Sequence, residues 1–475
     1  MADFKRQNAR RAIRSPVSAM NTLLERIESA LIGPEPSVSE REMLQLSQLT
    51  LTRRSLTEGM LAIASIGRGK TTLLRTPLRA MLRDGWGGLI PTVKDSMIAD
   101  MSECICAESR DADLILFDDK AHSVFNPFAS ITDINEAAAL LTGVSEALNK
   151  GNHTGSDASF WKQQLQLVFR HLFALCQVQA GKLDLLLAAT LFDSRAKTPA
   201  ELQDPNWRTG NPMWAAIQSA RASNDSDAGK AAHYFMETFP HQSGGLQSSL
   251  VATVEGVLDQ LSREPLRSLF SGESTFSMRD LFDNGKICVV GLPVLSSDSG
   301  RIANAILQFC FCREAVKAKR DHHSFLILDE GQELVTTDLM EKMAVIREFK
   351  VAVFFLTQNL SVVDQRIGQL AREGLFGLMA TRIFGPQNHA ATRQWAAEQC
   401  GKGQQTAKST SRSRSNRGSQ SSSSETLSSR WDYICPPNQF AQLDIGETIV
   451  LRNDEIARVH WHPTHPGRGG SGRII

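Results

Sequence analysis

Short runs of apolar residues recur along the chain at 61–66, 88–93, 114–117, 287–292, 325–328 and 351–356, each followed by a stretch with helical spacing. Runs of that length predict strands buried on both faces. Their alternation with helices predicts an α/β fold in which a mostly parallel sheet is covered on both sides. Between the third and fourth runs the period changes: Leu165, Val168, Phe169, Leu172, Phe173 and Cys176 follow helical spacing. Residues 134–280 are therefore expected to form an all-helical domain inserted into the sheet domain, itself made of 56–133 and 281–465. Residues 1–55 start polar and basic and then place Leu23, Ile27 and Leu31 on one helical face, which predicts a basic, helical arm at the periphery. Residues 403–430 are almost entirely Ser, Arg, Thr, Gln and Gly. Too little apolar surface is present there to offset ordering entropy, so this stretch is expected as a disordered loop within the sheet domain. After it, 448–451 and 456–461 flank Asn453 and Asp454 and read as a closing hairpin.

Composition narrows the class. The 475 residues carry 52 Lys and Arg against 51 Asp and Glu, with 41% hydrophobic and 22% charged positions. Such a chain buries a large core and is neither disordered throughout nor a polycationic coat protein. The eight cysteines are scattered with no C-x-x-C pair, which fits a reducing compartment. No apolar stretch follows the basic start, and no run approaches the roughly 18 residues that cross a bilayer, so a cytoplasmic chain without an integral membrane segment is expected. Charge is uneven locally: Lys402, Lys408, Arg412, Arg414, Arg417 and Arg430 face only Glu425 within one stretch. Contact with phosphates and a solvated spacer are both open readings of it.

The first candidate chemistry lies at Ala64-Ser65-Ile66-Gly67-Arg68-Gly69-Lys70-Thr71-Thr72, after an apolar run and before a helical segment. That context suits a phosphate-binding loop. Gly67 and Gly69 allow the backbone N–H groups of Ser65, Ile66, Gly67, Arg68, Gly69, Lys70, Thr71 and Thr72 to turn toward phosphate oxygens. Lys70 reaches the outer phosphates and Thr71 offers a hydroxyl to Mg2+. Ala64 replaces the first glycine of the usual pattern, which would strain the backbone if φ there were positive.

A second half appears where 325–328 ends in Asp329-Glu330. Asp329 is the candidate metal ligand and Glu330 the candidate base for the attacking water, with helix capping as the plain alternative. The next run ends in Thr357-Gln358-Asn359, at the edge where open α/β sheets bind ligands, which makes Gln358 a candidate γ-phosphate sensor. Arg347 precedes that run and could serve a neighbouring subunit's nucleotide or stand as a solvated helix arginine. His460, His462 and His465 lack a carboxylate or thiol to complete a metal site and are read as a polar strand edge.

Taken in order, these motifs resemble the motor domain of the FtsK/HerA class of RecA-like P-loop ATPases, and more closely the conjugative coupling proteins of the TraD/TraG kind that serve type IV secretion. Lys94-Asp95, Phe125-Asn126-Pro127, Phe160-Trp161, Gly285-Lys286-Ile287, Gly331-Gln332, Thr381-Arg382-Ile383-Phe384, Trp395 and Gly401 extend the likeness beyond the nucleotide motifs. The resemblance implies a hexameric ring that hydrolyses ATP with Mg2+ and moves DNA through a central channel. It also implies Gln358 on the γ-phosphate and Arg347 acting in trans. A relaxase, a secretion channel or a nuclease would be its partner, and attachment to the inner membrane would come through such a partner. A motor paired with a nuclease and a nucleotide-binding adaptor of low turnover are the rival readings, the latter resting on Ala64 alone.

Overall fold

The computed structural model describes residues 41–120, 122–149, 156–317, 322–414 and 421–461. Seven strands form the parallel part of one sheet: β3 (Met60–Ile63), β4 (Gly87–Ile90), β5 (Leu114–Phe117), β6 (Ile287–Val290), β7 (Ser324–Leu328), β8 (Val351–Thr357) and β9 (Thr381–Phe384). The antiparallel hairpin of β12 (Glu447–Arg452) and β13 (Glu455–His460) extends the β9 edge. Across the sheet the order is β13-β12-β9-β3-β8-β7-β4-β6-β5.

Both faces are covered, and the alternation within each strand shows how. Leu61, Ile63, Leu326, Leu328, Val353 and Phe355 point into one core, while Met60, Ala62, Phe325, Ile327, Phe354 and Leu356 point into the other. Strands buried on both sides read as unbroken apolar runs, which is why they were legible. All six expected runs are strands, with ends that differ by at most three residues.

Between β5 and β6 every regular element among the described residues is helical, the longest being Ser156–Ala180 and Gly244–Ser262. Asp184, Asn211 and Asp225 start helices by accepting backbone N–H bonds. The two ends of the insertion are held together by the backbone bonds Phe125 N to Leu269 O (2.8 Å) and Thr275 N to Val124 O (2.9 Å). Its buried residues, Phe169, Phe173, Phe192 and Phe239 among them, belong to the same apolar cluster as one face of the sheet. The described residues hold no single helix long and apolar enough to cross a membrane.

Two expectations change. Of the arm at 1–55, residues 1–40 lie outside the described residues, and residues 42–52 form a hairpin of β1 (Glu42–Leu46) and β2 (Leu49–Thr52). Leu46, Leu49 and Leu51 are buried in the second core, and Arg53 clasps Asp84 at 2.6 Å, so this segment is part of the packed body. Of the stretch 403–430, expected as disordered, residues 415–420 lie outside the described residues, and the rest belongs to a ribbon in which β10 (Lys402–Arg414) pairs with β11 (Ser421–Tyr433) over thirteen unbroken positions. Backbone hydrogen bonds need no apolar side chains, and Ser and Thr are tolerated in strands. The base is tied by Ile434 N to Gly401 O (3.1 Å) and Gln394 Nε2 to Tyr433 Oη (2.8 Å), beside a third apolar cluster that includes Cys400 and Cys435.

Candidate functional site

β3 runs into the turn at 64–69 and then into the helix Lys70–Arg83. Gly67 and Gly69 have φ of 70° and 88°, a region that strains residues with a Cβ, and Gly69 caps the helix. Ile66 stands 72% exposed at the tip, while Thr71 and Thr72 are half-buried in the first turn. Arg68, also half-buried, lies between the two glycines. Ser65 is fixed from outside the loop: its N–H donates to Pro386 O at 3.0 Å, its hydroxyl donates to Gln387 Oε1 at 3.1 Å and accepts from Asn388 N at 3.1 Å.

Ala64 is not among the described non-glycine residues with positive φ, so the strain expected there does not arise. The Ala64 methyl also finds space on the neighbouring strand's end at Gly385, where an added Cβ would come within 2.7 Å of it. The Cβ missing at Gly385 makes room for the one present at 64.

Glu330 is the centre of the arrangement. It follows β7 in a left-handed conformation (φ 54°) and is only 6% exposed. Its Oε1 accepts from Lys94 Nζ at 3.2 Å and lies 3.7 Å from Lys70 Nζ. Its Oε2 accepts from Gln332 Nε2 at 3.0 Å and from Gln358 Nε2 at 2.9 Å. Three of the roughly four lone-pair sites of a carboxylate are thus filled. Burial pushes this carboxyl up, but Gln332, Lys70, Gln358 and Lys94 together outweigh it and hold it below the usual glutamate range. Desolvation of its carboxyl, and then the adjacent Glu330 charge, push Asp329 up to about 6. Burial likewise lowers Lys70, whose Nζ donates to Ala64 O at 3.1 Å. Neighbouring carboxyl groups with opposed shifts are a recurring feature of acid–base sites.

Sheet order brings these groups together. β3, β8, β7 and β4 are consecutive and parallel, and their carboxyl ends supply the loop at 64–69, Gln358, Asp329 with Glu330, and Lys94 respectively. Buried Gln332 is set by Thr357, whose hydroxyl donates to its Oε1 at 3.0 Å. Gln387 bridges two of these ends, since its Nε2 donates to Gln358 O at 2.8 Å while its Oε1 holds Ser65. The roles of Lys94, Gln332 and Gln387 are not legible in the sequence. The first two stand in motifs that assign them no role, and Gln387 lies in a loop with no motif. Arg347 is not brought to this site. It is exposed in the turn Arg347–Phe349 before β8, so the seven residues of that strand, about 20 Å, separate it from the carboxyl edge.

The donor set fits a nucleotide polyphosphate with a hard divalent cation. Around Gly67 the space is open on the side where a Cβ would lie, Lys70 supplies a cation, and Thr71 and Asp329 supply oxygen ligands suited to Mg2+.

Residues 323–444 match the family described as the TraM recognition site of TraD and TraG. No curated protein matches the chain by sequence. Among solved structures, the unbound bacterial conjugative coupling protein TrwBdeltaN70 matches with a TM-score of 0.63 at 14% identity, covering 92% of this chain and 91% of that one. The plasmid coupling protein TrwB with the non-hydrolysable ATP analogue ADPNP gives 0.62 at 14% identity, covering 92% of both chains. TrwB with ADP and Mg2+ gives 0.61 at 13% identity with the same coverage. The fold is therefore the RecA-like P-loop fold with its helical insertion, and the resemblance drawn from the motifs is borne out.

Proposed function

We propose, from a chain whose residues 323–444 carry the TraD/TraG signature and whose fold is that of TrwB, that this protein is a ring-forming, ATP-driven DNA translocase that delivers DNA to conjugative secretion machinery. The observation that carries the reading is the convergence of Lys70, Lys94, Gln332 and Gln358 on Glu330. TrwB binds an ATP analogue, and ADP with Mg2+, on the same fold, which supports the same ligands here.

In this reading the N–H groups of 65–72 and Lys70 cradle the β- and γ-phosphates, and Thr71 and Asp329 hold Mg2+. The bound cation would neutralise charge developing on the phosphate oxygens. Glu330 polarises the attacking water, but in the free chain its oxygens are occupied. Gln358 and Lys70 are the partners best placed to exchange Glu330 for a γ-phosphate, and their departure frees the base only when nucleotide is present. Arg347 completes the site from the neighbouring subunit, as its distance from its own site allows. The family signature at 323–444 supports a partner of the TraM kind.

The adaptor reading rested on strain at Ala64, and that support falls away because Ala64 is not among the described residues with positive φ, while Gly385 leaves room for its methyl. Pairing with a nuclease is less favoured, because the matched signature belongs to coupling proteins.

The test is steady-state ATP hydrolysis against protein concentration, with and without single- and double-stranded DNA at low salt. A rate per subunit that climbs with both is expected. Glu330→Gln should abolish turnover and keep nucleotide binding, and hydrolysis by that variant at the wild-type rate would sink the site assignment.

A further inference from the structure

The unbroken register of β10 and β11 sorts a monotonous sequence into two unlike faces. In a strand, alternate residues share a face. Every cation of β10 sits at an even position: Lys402, Lys408, Arg412 and Arg414. Its odd positions hold only Gly, Gln, Ala and Ser. The pairing sets Trp431 opposite Gln404 and Tyr433 opposite Lys402, so both aromatics of β11 belong to the cationic face. Glu425, opposite Thr410, is the one acid there, while Arg430 and Asp432 both fall on the other face. At the base the described side chains agree with this sorting, as Lys402 Nζ stands 4.8 Å above the Tyr433 ring. Trp431 is 68% exposed.

We propose that this face of the ribbon binds single-stranded DNA. Lys402, Lys408, Arg412 and Arg414 would track the phosphates along about 40 Å of strand, and Trp431 would offer a stacking platform for a base. The proposal rests on the DNA translocase reading above and names a surface by which the substrate is held. Charge complementarity selects the occupant. Four cations against one acid on one face suit a polyanion. An exposed indole beside them suits unpaired bases rather than the closed stack of a duplex.

The parity of the cations separates this proposal from loose attraction to a basic segment. Two variants of the full chain test it, both altering positions outside the apolar clusters and the nucleotide site. One, K408S/R412S/R414S, removes three cations. The other, K408S/S409K/S411R/R412S/S413R/R414S, keeps composition and charge but moves the same three cations to the opposite face. Binding of fluorescein-labelled oligodeoxythymidine is followed by anisotropy between about 50 and 200 mM salt, with nucleotide binding measured in parallel. Both variants should lose affinity at least tenfold at the lower salt. Their log K against log salt slopes should be shallower by about 2, at about 0.7 per lost phosphate contact. Trp431→Ala should weaken single-strand binding roughly fivefold or more with the slope unchanged.

Wild-type affinity in the face-swapped variant would overturn the proposal, since charge alone would then suffice. Wild-type affinity in both variants would overturn it while leaving the translocase reading intact. A wild-type chain that binds nucleotide but no DNA would overturn both. Loss of binding to phosphatidylglycerol vesicles, with DNA affinity kept, would overturn it in favour of a lipid surface.

Discussion

Lys94 shows how a residue without a recognised motif role enters the site. It follows β4, and its ammonium reaches Glu330 Oε1, the same oxygen that faces Lys70. Lys94→Met should lower kcat about tenfold and leave nucleotide affinity within about threefold, because the base is mispositioned while the loop at 64–69 is untouched. Equal losses in kcat and in nucleotide affinity, measured by stopped-flow and equilibrium titration, would assign Lys94 to the phosphates instead. His323 makes a separate, structural prediction. It is buried, stacked on Trp86 with ring centroids 4.8 Å apart, and burial pushes its pKa down from 6.5 to about 4. A folded pKa below the unfolded one means that the stabilising contribution is full above pH 6.5 and is lost as pH falls toward 4. Urea unfolding should therefore show stability declining across that window, with His323 contributing on the order of 2 kcal/mol. In His323→Gln the slope should be shallower by up to one proton, and an unchanged slope would remove His323 from the account.

At the scale of elements, the loop at 64–69 and the end of β9 are fitted to each other through Ala64 and Gly385. Gly385→Ala should push the loop off its position, costing about 1–3 kcal/mol and weakening nucleotide binding about tenfold or more. Ala64→Gly combined with it should restore binding, because only one of the two positions can carry a Cβ. A double variant as weak as Gly385→Ala alone would refute the pairing. The elements also differ in how legible they were. β6, β7 and β8 stood out because burial on both faces makes the run apolar. β1 and β2 were missed because Leu46, Leu49 and Leu51 are too few to set a period before the chain folds back. The ribbon was missed because its order comes from cross-strand pairing, while composition reports only on burial.

For the whole molecule, the distance of Arg347 from its own site predicts complementation. Arg347→Ala and Glu330→Gln chains should each be nearly inactive alone. Mixed in equal amounts, they should regain a measurable fraction of the wild-type ATPase rate, on the order of a quarter. In the mixture an intact Glu330 site can meet an intact Arg347 from its neighbour. No recovery on mixing, with assembly verified by light scattering, would exclude a role in trans.

The amino-acid sequence by itself determined the fold class, the phosphate loop and the Asp329-Glu330 pair, because each is written in contiguous residues whose period or spacing is local. It left open whether Ala64 could be borne and which groups would surround Glu330. Those questions were decided by strand order: β3, β8, β7 and β4 lie side by side and end on one edge, so Lys70, Gln358, Glu330 and Lys94 meet although they are far apart in the chain. Strand order is set by how the helices and both cores pack, a long-range balance of buried area that no local pattern encodes. The same holds for the ribbon, where the even spacing of the cations is in the sequence and only the register set Trp431 and Tyr433 on the same face.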